Sequence, residues 1–374
     1  MGAGSLRSTI RKTRIVTYFH LIVAILLSII YLSGLIPPTK GFNLWITSFV
    51  IPIALVINHI LLIGSLILRK KYTLFYLGSL IIGIPYLTST IGIKHLLPKR
   101  DVDGEALSVV NYNIGIYTMH PYHYKNRDSA RLALRNWILN SEGDIKCIQE
   151  FANVPWSKEF NLIDRLEKND SHYYFSTDDR GSIRDHYTNG TLIISKYPII
   201  ESGDVLSSRN GFNRIAYADI KINEDTIRIV NVHLESMGLG ENNPRHTRDL
   251  STMKNQLYTI LRKLRIGVFE RSRQMRQLSD FIARSPHPVI CAGDFNDLPY
   301  SYNYRHLKER MKNSFEESGR GFGFTYSGGT LKMLRIDNQF YSSGLRSTGF
   351  ETLDSIKLSD HFPLRGEYLI PKAN

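Results

Sequence analysis

Acidic side chains are missing from the first hundred residues, which hold eleven Lys or Arg and no Asp or Glu. The whole chain of 374 residues has a formal net charge of +13, from 47 basic and 34 acidic side chains. Its other 274 residues therefore carry 36 basic against 34 acidic groups, close to balance. The basicity is local, and it gives no support to a nucleic-acid surface spread over the protein. Cysteine is nearly absent as well. Cys147 and Cys291 lie inside apolar strand-like runs, where a small buried thiol is the default. Two cysteines in so long a chain make neither a disulfide framework nor a zinc cluster. There is no glycine-rich phosphate loop and no Gly-x-Ser-x-Gly elbow, which disfavours nucleotide-driven machines and acyl hydrolases. Internal repeats and low-complexity tracts are lacking too.

What the first hundred residues do contain is three uncharged apolar runs: Ile15–Ile36, Leu44–Leu68 and Leu74–Ile93, of 22, 25 and 20 residues. About 20 apolar helical residues cross a bilayer, so each run suffices. Buried helices of a soluble protein are usually shorter and keep a polar stripe. Pro52 and Pro85 lie inside the runs, where membrane helices tolerate them better than soluble ones. The first run is too long for a signal-peptide core, and no small-residue cleavage motif follows it. Residues 1–100 therefore read as a multi-pass anchor of three transmembrane helices, with the lipid bilayer as partner, and residues 101–374 as a soluble domain. Arg7, Arg11, Lys12, Arg14, Arg69, Lys70 and Lys71 flank one side; Lys40, Lys94, Lys99 and Arg100 flank the other. Seven cations against four favour a cytoplasmic N-terminus, which predicts an extracytoplasmic (periplasmic) domain on a cell (inner) membrane.

Beyond residue 100 the pattern alternates between period-two and helical runs. Residues 107–117 read as a strand and 127–141 as a helix, with Ala130, Leu134, Trp137 and Ile138 on one face. Strands are predicted at "DIKCIQE", at 190–200 with a Tyr-Pro turn, and as a hairpin turning near Asn223–Asp225. A long, mostly helical stretch covers 244–285 and holds ten Lys or Arg. It precedes the strand "PVICAGDFND", a helix near 301–316, and late strands at "LRIDNQFYS" and "SDHFPLRGEYLI". Many strands with helices between and outside them predict two sheets packed face to face and flanked by helices.

Polar groups recur at the ends of these strands. Asn113 follows "SVVNY", Glu150 follows "IKCIQ", and Asn189 precedes "GTLIIS". His233 closes "RIVNV", Asp294 and Asn296 close "PVICAG", Asp337 lies in "LRIDN", and Asp360 with His361 opens the last strand. Taken singly, each fits a solvated loop, a hydrogen-bonded structural histidine or a turn cap. Asp337 says more, because a carboxylate in an apolar strand needs a partner such as a histidine or a cation. Carboxylates, amides and histidines that repeatedly follow apolar strands are what a scaffold presenting a polar cleft produces. Their chemistry fits hydrolysis at phosphorus. Carboxylates hold Mg²⁺, amides and a protonated histidine donate to phosphoryl oxygens, and a further carboxylate prepares the attacking water.

The ordered set "NYNIG", "IQE", "NGTLIISKYP", "VNVHLES", "GDFND", "RID" and "SDHFPL" resembles the endonuclease/exonuclease/phosphatase superfamily, the fold of DNase I, over roughly residues 106–370. The resemblance implies a four-layered α/β sandwich and metal-dependent phosphoester hydrolysis, usually with Mg²⁺ and alternatively with Mn²⁺. It also implies roles. Glu150 becomes the principal metal ligand, with Asn113 on metal or phosphate and Asp360 a further metal-site acid. Asp294 aligns or activates water, Asn296 contacts the phosphate, His361 binds it, and Asp337 orients His361. His233 and Asn189 match the family's strand-end histidine and amide. Two departures stand out: "RIDN" occurs where many relatives have Arg-Ile-Asp-Tyr, and "NYNIG" is one residue tighter than in many nucleases.

The family cleaves DNA, RNA, phosphoinositides, sphingomyelin and lipid pyrophosphates, so chemistry does not fix substrate. Near-neutral charge and a three-span anchor favour a lipid-linked phosphate; the basic stretch 244–285 keeps a DNA or RNA nuclease open. A catalytically inactive, membrane-tethered binding module is a third reading, and the intact Glu150, Asp294, Asn296 and His361 speak against it.

Overall fold

A computed structural model of the protein describes residues 3–38, 46–93, 103–115, 128–178, 186–207, 213–237, 250–328 and 333–371. The flanking cations Lys40, Lys94, Lys99 and Arg100, and residues 244–249 of the basic stretch, lie outside them. The chain separates into two compact units, residues 1–90 with 298–305 and residues 91–297 with 306–374.

In the first unit the apolar runs form α1 (Ala3–Ser33), α2 (Thr47–Ile67) and α3 (Thr73–Thr90). Each contains 18 or more residues long and apolar enough to cross a membrane. Their polarity is the reverse of a soluble bundle. Ile60 and Ile67 are 63% and 74% exposed, whereas Asn58 is fully buried. The Asn58 amide and the Ser79 hydroxyl share a hydrogen bond of 2.6 Å, and the Tyr86 hydroxyl donates to the Tyr31 carbonyl at 2.7 Å. Polar side chains that glue helices from within, under an apolar exterior, suit a lipid solvent.

The second unit begins with β1 (Gly104–Asn113), α4 (Asp128–Asn140), β2 (Ile145–Asn153), α5 (Leu162–Lys168), β3 (His172–Thr177) and β4 (Thr188–Ser195). It continues through β5 (Ile199–Ser207), β6 (Arg214–Ile222), β7 (Asp225–His233), α6 (Leu250–Ala283) and β8 (Val289–Asp294). After α7 (Tyr302–Lys308), whose residues 302–305 count with the first unit, come β9 (Lys312–Asn313), α8 (Ser314–Ser318), β10 (Asp337–Tyr341), β11 (Arg346–Thr352) and β12 (Leu364–Pro371). The strands form two six-stranded sheets, ordered β11-β12-β1-β2-β4-β3 and β5-β6-β7-β8-β10-β9. Each is mixed, with β1 and β2 parallel in one and β7 and β8 parallel in the other.

The alternation of β1, β2 and β4 sends Val109, Ile145 and Ile193 towards Ala218, Ile229 and Ile290 of the second sheet. Ile148 and Leu192 instead meet Leu134 and Ile138 of α4 and Leu162 and Leu166 of α5. On the opposite side α6 buries Met275, Leu278 and Ile282, and Phe281 packs on Tyr217 of β6 with ring centroids 5.0 Å apart. Helix, sheet, sheet and helix give the expected four layers.

Three local expectations are corrected. Residues 190–200 stay in one strand only to Ser195: the expected Tyr-Pro turn, where Pro198 cannot donate to a ladder, takes the chain from β4 to β5 in the other sheet. Nor do residues 301–316 make a single helix. Asn313 pairs with Phe340 of β10 and caps α8 by accepting from the Glu316 N–H at 3.2 Å, so two short helices flank a short strand. The late strand beginning at "SDHFPL" starts only at Leu364. The short elements α5, β3 and β11 carried no clear period; β3 and β11 are sheet edges, where burial is partial and the alternation weak.

Candidate active site

Adjacent strands of the second sheet bring three polar residues into register. His233 at the end of β7 pairs with Asp294 at the end of β8, and Asp294 pairs with Asp337 at the start of β10. Gly293 permits the close pairing: its φ is +145°, and a Cβ there would lie 2.1 Å from the Val232 carbonyl oxygen. In the first sheet Asn113 pairs with Gln149, and β2 then breaks register with β4 between Ile148 and Phe151. Glu150 sits in that bulge with φ +52°. Left-handed backbone is strained for a side chain other than glycine, and a bulge re-aims the residue it contains. Asn296, with φ +49°, is turned in the same way just beyond β8.

Two buried amide pairs fix the sheets to one another. Gln149 donates to Asn231 at 2.6 Å, and Asn231 donates to the carbonyls of Ile148 and Leu192 at 3.1 Å each. Gln339 donates to Asn111 at 2.8 Å. Gln149 precedes Glu150 and Asn231 lies two residues before His233, so the first pair sets one strand end against the other.

Asp294 is the centre of the cluster. One carboxylate oxygen accepts from the Asn296 N–H at 2.8 Å; the other accepts from the amides of Asn113 at 3.0 Å and Asn296 at 3.2 Å. His233 Nε2 and His361 Nε2 lie 4.0 and 3.8 Å from that second oxygen. Asn113 also donates to Glu150 at 3.2 Å, tying two carboxylates together, and His233 Nε2 is 3.5 Å from the same Glu150 oxygen. The second amide hydrogen of Asn296 goes to the Leu234 carbonyl at 3.0 Å. In this arrangement Asn296 holds Asp294 in place.

His361 Nδ1 bonds Asp337 at 2.8 Å, and both side chains are buried. Burial alone would lower the imidazole pKa, but the Asp337 and Asp294 carboxylates outweigh it and push it up to about 10. Burial raises Asp337 as well, to about 6, against the pull of the imidazolium. The pair therefore keeps its proton at neutral pH, and His361 presents a charged Nε2–H towards Asp294. At 3.8 Å the gap is too long for a hydrogen bond and leaves room for a third group.

Asp360 is exposed, and its Oδ1 accepts from Ser359 at 3.1 Å. Its place at the site is marked by Tyr326, whose phenol pKa is raised to about 12 by burial and then by Asp360, Asp294 and Glu150. Asn189 is half-buried on β4 opposite Ala152, two residues past Glu150. Among the described residues, no hydrogen bond links it to the cluster.

Sequence reasoning missed Tyr326, which lies in the loop "GFGFTYSGG" without periodic signal, and it missed the part played by α6. Arg271 is fully buried, and its Nη1 donates to the Glu235 carbonyl at 3.0 Å; Gln274 accepts from the Glu235 N–H at 2.9 Å. The helix thus clamps the segment after His233, whose Leu234 carbonyl receives Asn296. A signal existed. Arg271 falls in the stripe of Leu264, Val268, Met275, Leu278 and Ile282, and a charge in phase with an apolar face needs a buried partner.

Asp294, Asp337 and His361 offer ligand atoms within 4.8 Å of one another. Those atoms already compensate each other, because the imidazole holds its proton and a metal ligand must give it up. The carboxylates of Glu150, 23% exposed, and of exposed Asp360 are different. They are hard oxygen donors reachable by solvent, and they fit a hard divalent cation that keeps water in its shell.

The family model described as "Endonuclease/Exonuclease/phosphatase family" matches residues 110–361. A second model, for a domain of unknown function, matches residues 13–90. No curated protein sequence matches the chain. Among solved structures, it is similar to an endonuclease/exonuclease/phosphatase from Beutenbergia cavernae (16% identity, 72% of each chain covered, TM-score 0.49). It is similar to a humanized D. rerio TDP2 (19% identity, 70% of this chain and 98% of that one, TM-score 0.48). The human Nocturnin catalytic domain gives 16% identity over 72% of this chain and 97% of that one, with a TM-score of 0.44.

Proposed function

This chain belongs to the endonuclease/exonuclease/phosphatase family, and from that premise we propose that it is a membrane-anchored, metal-dependent phosphoesterase acting on a lipid-linked phosphate ester or pyrophosphate. The observation that carries the reading is Asp294, buried yet ringed by the amides of Asn113 and Asn296 and by two histidines. A carboxylate so held is fixed in direction and can take a proton from water without moving. His361, kept cationic by Asp337, donates its Nε2–H to a phosphoryl oxygen entering the gap beside Asp294. His233 stands between Glu150 and Asp294 and donates to the same charge. Glu150, with Asp360 and Asn113, would hold Mg²⁺, or Mn²⁺ in its place, and a cation there would supply positive charge against the phosphate.

Residues 1–100 act as the anchor, with three spans in a cell (inner) membrane, and residues 101–374 as the extracytoplasmic hydrolase. Two features support a lipid-linked substrate over a nucleic acid. Outside the first hundred residues the charge is balanced, 36 basic against 34 acidic groups. The basic stretch that favoured a nuclease is partly consumed within the fold: Arg271 is buried and Arg273 pairs with Glu270. The test is hydrolysis by the full chain of undecaprenyl pyrophosphate, phosphoinositides, sphingomyelin, RNA and duplex DNA, each with Mg²⁺ and with excess chelator. Glu150→Ala should raise the Mg²⁺ concentration for half-maximal rate by roughly tenfold or more. Full activity in chelator would sink the assignment.

A further inference from the structure

Beside the catalytic cluster lies a cavity of about 610 Å³ with aromatic walls: Phe315, Phe322, Phe324, Tyr326, Phe350 and Phe362. Tyr326 belongs to both places, because its ring also lies edge-on to His361 with centroids 4.9 Å apart. Phe315 and Phe350 are buried, and the Arg335 guanidinium covers a face of Phe315 at 4.2 Å. Phe322 and Phe324, in contrast, are 53% and 36% exposed. Their rings stack on each other at 5.5 Å, 4° from parallel. The turn that presents them uses Gly321 and Gly323 at φ +61° and +56°, and a Cβ on Gly323 would meet the Phe315 ring at 2.3 Å. Met333, 65% exposed, adds to the same lining. An open cluster of this kind marks a site that something apolar covers. The volume is that of an ordinary ligand pocket.

Charge narrows the ligand. Arg320 and Lys357 line the cavity, and so do Glu351 and Asp354, so a polyanion gains no net attraction there. A nucleobase stacks on such rings through its faces, and the balanced charge, which gives its phosphates no attraction, is what argues against one. One phosphate beside His361 with an uncharged hydrocarbon substituent satisfies both regions.

Building on the phosphoesterase reading above, we infer that this cavity is the subsite for the apolar chain of an amphiphilic substrate, whose phosphate lies between Asp294 and His361. Water adds to phosphorus as the bond to the leaving oxygen breaks, so no other reactant is required. The cavity then selects the substrate while Asp294 and His361 act on the group common to all phosphate esters.

The test uses the full chain in phosphatidylcholine nanodiscs and three probes: methylphosphonate, decylphosphonate and a tetrameric oligothymidylate. Binding is measured by calorimetry for the natural sequence and for F322S/F324S, both exposed positions whose replacement spares the core. The decyl probe is expected to bind roughly 30-fold or more tightly than the methyl probe, since each fully buried methylene gives up to about fourfold. In F322S/F324S that ratio should fall towards the value set by partition into the disc alone. An equal ratio in both proteins would overturn the inference. So would oligothymidylate binding that is lost on the same substitutions, which would assign the cavity to nucleobases. A chain preference without turnover of decyl phosphate would keep the subsite and remove the hydrolase reading; turnover without a preference would do the reverse.

Discussion

His361 and Asp337 share one proton, and the position of that proton decides what the site can offer a phosphate. The imidazole pKa, about 10 against an ordinary 6.5, is raised on folding. The stability this contributes is complete below about pH 6.5 and is lost as pH rises through about 10. Activity that needs the cation should fail over the same alkaline range. Asp337→Asn removes the charge that holds the proton, so the alkaline limb of kcat/KM should move to lower pH by roughly one unit or more. Loss of His361 together with Asp337 should cost little more than either alone, because the two act as one unit. An unmoved limb in a pH–rate profile, or additive losses, would separate them. Much of this was legible in the chain, because an acid inside an apolar strand demands a partner and "SDHFPL" offered a histidine just before the last strand. Tyr326 was not legible. Its loop has no period, and only the fold brings its ring to His361.

At the scale of elements, the clustered polar groups depend on how the two sheets are held in height. Asn231 joins Gln149 on β2 to the strand that ends in His233. Asn231→Leu would leave the Gln149 amide and two strand carbonyls short of partners inside the core. The cost should be about 2–4 kcal/mol, read as a lowered unfolding midpoint, with Mg²⁺ affinity falling alongside because Glu150 shifts with its neighbour. Stability within about 0.5 kcal/mol of the natural chain would show that the stitch contributes nothing. The long periodic elements could be read from sequence; the β6–β7 hairpin turns at Asn223 and Glu224, inside the expected stretch. The bulge at Glu150 could not, since it arises from the mismatch of β2 with β4 and no residue in "IQE" announces it. Nor does Arg271 stand apart in a count of the ten cations of residues 244–285; only the face of α6 singles it out.

For the molecule as a whole, the balanced charge and the proposed anchor of three apolar helices point the same way. A chain balanced outside its first hundred residues gains little from polyanion attraction, so cleavage of duplex DNA should be slow and strongly suppressed by salt. A lipid phosphate in the same bilayer as the protein is confined near it. It should be consumed faster than an equal amount in separate vesicles, while a short-chain soluble analogue should show no such difference. Equal rates from the two vesicle arrangements would remove the advantage claimed for the anchor. The central claim, attack of water on phosphorus at Asp294, is tested most directly by isotope. With Mg²⁺ and a lipid phosphate in water enriched in oxygen-18, the full chain should place one labelled oxygen in the phosphate released. Asp294→Asn should lower the labelling rate by roughly a hundredfold or more without changing where the label goes. Label in the alcohol product, or an unchanged rate in Asp294→Asn, would contradict the account.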